Sequence, residues 1–206
     1  MGQPGISSIA LRNMAYERLW GRPSQQIFRQ TNVEEPHVDI HRYAPTWRFW
    51  APARRLYVYI TNGMADRVMP LPPESTSSRP RRIELCTYTR DAREAQPGRD
   101  LAAWVLHSLA HLPWRENCSF APLETVTWGG HIIEGSDMTA FFFALPPFVD
   151  EDELLPAAKA DLVLQVMTIT GAERELAVRE SSEALMDRFE STGVPPVMDW
   201  DRPSCV

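Results

Sequence analysis

Leu162–Ile169 reads LVLQVMTI, eight residues with two polar interruptions, Gln165 and Thr168, and no charge. A run this short and this apolar is a strand buried on both faces. Such a strand sits inside a sheet and has to be covered from both sides, which calls for a layered architecture. The rest of the chain supplies the layers. His37–Tyr43, Arg55–Thr61 and Arg82–Tyr88 alternate or are rich in β-branched and aromatic residues, and Asn62-Gly63 ends the second of them as a turn. Leu123–Trp128 and Thr139–Leu145 flank Gly129-Gly130 and read as two more strands. Helical spacing predicts Ser8–Trp20, stopped by Gly21 and Pro23, and Asp100–Leu112, capped by Asp100 and stopped by Pro113. Thr170-x-x-Glu173 is a capping box that opens a helix over Gly171–Arg179, and Ser181–Glu190 gives the last helix. The proline-rich stretches Pro45–Pro52 and Met69–Pro80 read as loops. The expected class is α+β: a mixed β-sheet of about six strands with helices packed on its faces, an α/β/α sandwich-like arrangement.

Charge is unevenly spread. Residues 1–116 hold 16 Arg against 11 acids, whereas residues 117–206 hold 5 basic residues against 16 acids, including Asp150-Glu151-Asp152-Glu153. All but one of the basic residues are Arg, the exception being Lys159, a bias that fits GC-rich bacterial coding. The longest apolar run, Ala140–Val149, is broken by Pro146 and Pro147, so no membrane span is expected. The N-terminal stretch has no basic region leading into an apolar core, and Cys86, Cys118 and Cys205 form no CxxC pair. A cytoplasmic, reduced protein is the simplest reading.

Several constellations bear on chemistry. His37, Asp39 and His41 alternate, so a strand would point all three one way. Two imidazoles and a carboxylate are metal-binding types, with His131 as a distant fourth. The plainer reading is the solvated side of a strand, and the spacing matches no closed metal site. Gly129-Gly130-His131 suits an anion nest or, more simply, a turn between strands. Cys118 sits in sequence near His107 and His111 without a spacing that demands a catalytic pair. No GxSxG, GxxxxGK[ST] or GxGxxG occurs. Trp47, Phe49 and Trp50 among Arg42, Arg48, Arg54 and Arg55 combine aromatics with cations. A pI near 5.4 argues against nucleic acid and favours a protein contact or core packing for them.

The order of the motifs is more informative than any one of them. His37-Val38-Asp39-Ile40 is followed by Thr61-Asn62-Gly63-Met64-Ala65-Asp66, Glu84-Leu85, Trp104-Val105, Gly130-His131, Pro146-Pro147 and Thr168-Ile169-Thr170 with Glu173. From about 37 to 189 this resembles the suppressor-of-fused domain family. The resemblance implies one domain over 1–206, with an N-terminal helix and linker over 1–30 and a tail over 194–206. It implies a non-enzymatic protein-binding module without cofactor, metal site, nucleic-acid or membrane partner. Its motif residues are His37, Asp39, Thr61, Asn62, Gly63, Met64, Asp66, Gly130, His131, Thr170 and Glu173, with Trp47, Phe49 and Trp50 as candidate partner contacts. Eukaryotic members are two-lobed, hold Gli-type transcription factors and grip a peptide as an added strand. Stand-alone bacterial-type members are similar to immunity proteins of polymorphic toxin systems, which implies a cognate toxin domain as partner. The alternatives are an adaptor that sequesters an endogenous protein and a metal-assisted hydrolase built on His37, Asp39 and His41.

Overall fold

A computed structural model of the chain describes residues 8–23, 27–29, 35–44, 56–71, 79–90, 94–96, 99–147, 155 and 159–206. Nine strands are found among them. These are β1 (Ile27–Phe28), β2 (Asp39–Tyr43), β3 (Tyr57–Asn62), β4 (Ile83–Thr89), β5 (Glu94–Gln96), β6 (Arg99–Asp100), β7 (Thr125–Thr127), β8 (Met138–Ala144) and β9 (Leu162–Thr170). Seven of them form one sheet in the order β1-β2-β3-β4-β9-β8-β7, and β5 and β6 form a separate ribbon. Only β4 and β9 pair in parallel, so the sheet is mixed. All six expected strands are present, and the short β1 adds a seventh beside β2.

Period-two alternation explains how the sheet is covered. Val38, Ile40, Tyr59, Leu85, Phe141, Phe143, Leu164 and Val166 point to one face and pack against α2 (Leu101–Glu116). On the other face Tyr43, Val58, Ile60, Cys86 and Tyr88 meet α1 (Ser8–Trp20) through Ala15, Tyr16 and Trp20. Further along that face Ala140, Phe142, Met167 and Ile169 meet α3 (Gly171–Arg179) and α4 (Ser182–Thr192) through Leu176, Leu185 and Phe189. The run at Leu162–Ile169 is β9, central and covered on both sides.

Two expectations are corrected. Pro113 does not end α2. The helix runs on to Glu116 and closes at Asn117 in the left-handed conformation. Proline removes one helical N–H, but Trp114 holds the last turn by donating to the Val68 carbonyl at 3.2 Å and by lying under Arg67. The stretch from Met69 is not an exposed loop at its start. Met69 is buried and exchanges backbone and side-chain hydrogen bonds with Arg81.

Candidate functional site

The Thr61–Asp66 motif lies where β3 ends. Asn62 closes the strand, Gly63 turns the chain with φ 128°, and Met64–Asp66 make one turn of 3-10 helix. A side chain is excluded at Gly63, because a Cβ there would stand 2.1 Å from the His37 carbonyl oxygen. The turn is built around a buried carboxylate. Glu84 on β4 accepts from Thr61 Oγ1 at 2.5 Å and from the Gly63 and Ala65 N–H groups at 3.1 and 3.2 Å. The Thr61 hydroxyl accepts in turn from the Leu85 N–H at 2.7 Å. Arg12 reaches down from α1, donates to Asn62 Oδ1 at 2.5 Å and forks onto Asp66 at 2.8 and 2.7 Å. Its Nε stands 3.7 Å from Glu84. Burial pushes the Glu84 carboxyl up to about 7, while Arg12 and the three donors hold it below where burial alone would take it. Asp66 is spent on Arg12, and Met64 fills the core beside the turn.

The HxDxH stretch lies beside this knot. Asp39 and His41 share the face that carries Tyr43, as alternation requires, but α1 covers that face. His41 is buried, with Asn62 Nδ2 3.4 Å from its Nε2 and the Tyr43 hydroxyl 3.4 Å from its Nδ1. Burial lowers its pKa, which keeps the ring neutral. His37 precedes the strand, is largely exposed and lies 3.2 Å from Asp39. The face is therefore an interior seat for α1 rather than a wet surface. Among the described residues no three His, Cys, Asp or Glu side chains group closely enough to hold a metal ion.

The later motif residues serve other contacts. Gly129 takes positive φ, and His131 bonds the Ser136 carbonyl through Nδ1 at 2.6 Å within the loop before β8. Thr170 and Glu173 form the expected reciprocal cap. Glu173 also receives both arms of Arg202, at 2.5 and 2.6 Å, and the Cys205 N–H at 3.0 Å. Burial would raise its carboxyl, but Arg202 and these N–H donors outweigh it and hold the pKa below the usual value. Trp47, Phe49 and Trp50 lie outside the described residues, as does Asp150–Glu153. Cys118 turns toward the Leu112 carbonyl, and the His107 and His111 rings lie 4.9 Å apart, tilted by 58°.

An open surface lies at the far edge of the sheet. The Glu124 carbonyl accepts from the Phe143 N–H, and the Trp128 N–H donates to the Thr139 carbonyl, each at 2.9 Å. Within β7, Val126 thus turns its backbone groups toward β8, and Thr125 and Thr127 turn theirs outward. Among the described residues no strand pairs with that outer side. Alongside runs a groove of about 420 Å³ between Ser119–Val126 and the helix residues Ala177, Val178 and Ser182. Val178 is 68% exposed on its bank, and the buried Ser119 hydroxyl in its lining has no hydrogen-bond partner among the described residues.

Sequence reasoning missed Arg12, Arg202 and this edge. Arg12 had a signal: it lies on the helical face of Ala15, Tyr16 and Leu19, where a charge needs a buried counter-charge. Arg202 had none, because its partner stands 29 residues away.

The profile described as suppressor of fused protein (SUFU) matches residues 34–203. No curated protein matches the chain. Among solved structures the chain is similar to a SUFU homologue from Neisseria gonorrhoeae, with TM-score 0.67 and 20% identity over 98% of each chain. It is also similar to a chain of the Sufu–Fu complex, with TM-score 0.63 and 14% identity over 96% of this chain and 90% of the other. Drosophila Suppressor of Fused aligns with TM-score 0.62 and 13% identity over 96% of this chain, which spans 50% of that protein.

Proposed function

The chain belongs to the suppressor-of-fused family, and on that premise we propose that it is a protein-binding module that neutralises a cognate toxin domain, as an immunity protein does. The observation that carries this reading is the open edge of β7 with its groove. Outward N–H and C=O groups at Thr125 and Thr127 can pair with an extended segment, and the groove can take its side chains. One structural neighbour was solved in a complex of Sufu with Fu, which supports a binding role for the fold. The helices on the far bank expose Glu175, Glu180, Glu183, Asp187 and Glu190 against Arg179 and Arg188. A basic toxin domain would be steered toward that side, at a rate that falls with salt.

The test is co-purification with the toxin-domain product of a neighbouring gene, followed by titration. Binding is expected to silence the toxin's activity. Thr127→Pro removes one outward N–H at a position where an edge strand tolerates proline, and is expected to weaken binding roughly tenfold with the thermal midpoint kept. No binding to any neighbour-encoded protein at about micromolar concentration would sink the immunity reading. Capture of a partner that is not a toxin would replace it with the sequestering adaptor.

A further inference from the structure

The pairing of β4 with β9 stops at Cys86–Gln165, although β4 runs on to Thr89 and β9 to Thr170. The C-terminal strap, residues 195–205, occupies the place where the two strands part. Gln165 Nε2 donates to the Pro196 carbonyl at 2.8 Å, Thr168 Oγ1 to the Asp199 carbonyl at 2.9 Å, and the Met198 N–H to the Tyr88 carbonyl at 2.6 Å. Val197 is buried with the residues under α1, while Met198 and Trp200 are buried with those under α2. Arg202 then locks the strap on Glu173. The slot therefore reads an extended segment through its backbone and through two apolar pockets and one carboxylate. Apart from Arg202 over the Phe189 ring, these holds are made on strands and on α3, not on α4, from which the strap emerges.

The hinge between α4 and the strap is Gly193-Val194-Pro195-Pro196. Gly193 is exposed at φ 70°, and a Cβ there would meet nothing. The two prolines add no ladder donor and favour an extended path. We propose that this slot is an interaction surface for a second copy of the chain: the strap of one copy leaves its own slot and seats in the other's, giving a dimer in which Arg202 of each pairs with Glu173 of its partner. Every contact of the strap is kept in the exchange, so the balance between the two forms is set by the hinge and by protein concentration.

Two experiments on the full chain test this. Light- and heavy-nitrogen protein are mixed, held just below the unfolding midpoint and cooled, then weighed by native mass spectrometry. Mixed-mass dimers are expected, and their absence overturns the proposal. Deleting Val194 and Pro195 shortens the hinge by about 7 Å. The strap then fails to reach its own slot but still reaches a second copy's. The dimer fraction by light scattering is expected to rise roughly tenfold at equal concentration. A shortened chain that folds and stays monomeric also overturns the proposal. If it does not fold, the mixing experiment decides alone. Mixing Arg202→Glu with Glu173→Arg is expected to favour the mixed dimer, in which each strap meets the opposite charge, and a mixed fraction no larger than for wild type alone also refutes the proposal.

Discussion

Glu84 ties stability to pH in a direction opposite to that of most carboxylates. Its side chain is fully buried, and burial, partly offset by Arg12 and by the Thr61, Gly63 and Ala65 donors, pushes its carboxyl up to about 7 from the ordinary 4.5. Between those values the folded protein keeps a proton that the unfolded chain has released. The stability this proton confers is fully present below the unfolded value and is lost as pH rises through the folded one. The interval converts, at about 1.4 kcal/mol per pH decade, to roughly 3 kcal/mol. Glu84→Gln keeps the shape and the acceptor toward Gly63 and Ala65 but cannot ionise. Urea unfolding of both proteins is measured in steps from about pH 5 to about pH 8, and the difference is plotted so that titrations common to both cancel. The variant is expected to gain roughly 3 kcal/mol on the wild type across that range. A difference constant to within about 0.5 kcal/mol would show that Glu84 stays ionised in its pair with Arg12, and would refute the reasoning.

Other substitutions probe the same skeleton. Gly63→Ala places a Cβ against the His37 carbonyl at a positive φ and is expected to cost roughly 3 kcal/mol or more, read by urea unfolding. Arg202→Met strips the buried Glu173 of its counter-charge and is expected to cost roughly 3 kcal/mol at neutral pH. Because the Glu173 pKa is held below its ordinary value, the contribution of this pair is present above that value and fades as pH falls through the folded one, so wild type and variant should converge in acid. Thr170→Val keeps the volume but removes the oxygen that accepts from the Glu173 N–H, with an expected loss of about 1 kcal/mol in thermal or urea unfolding.

Local pattern was legible, and long-range pairing was not. The end of α1 and the start of α3 could be read from the chain because glycine and proline mark the first and a Thr-x-x-Glu box marks the second. The end of α2 was misread because Trp114, anchored on Val68, overrides Pro113. The Thr61–Asp66 segment was recognised by its order, yet its physical content lies in Arg12 and Glu84, brought to it by α1 and β4. His41 was assigned to an open strand face because alternation says which side a residue takes, not what covers that side. The seam between β4 and β9 and the strap that completes it join residues some 79 and 110 positions apart by contacts that no local pattern encodes.

That seam also bears on how the chain folds. β1–β4 and β7–β9 are each antiparallel successions of neighbours, and only four parallel residue pairs join one group to the other within the sheet. Local hairpins form before distant strands meet, because closing the long intervening loop costs entropy that few contacts repay. The rate-limiting event is then docking of two preformed half-sheets across β4 and β9, with the strap seating last. Truncations at Leu85 and Leu164 should slow folding, whereas truncations at Met198 should chiefly speed unfolding, a contrast that stopped-flow chevrons measure directly.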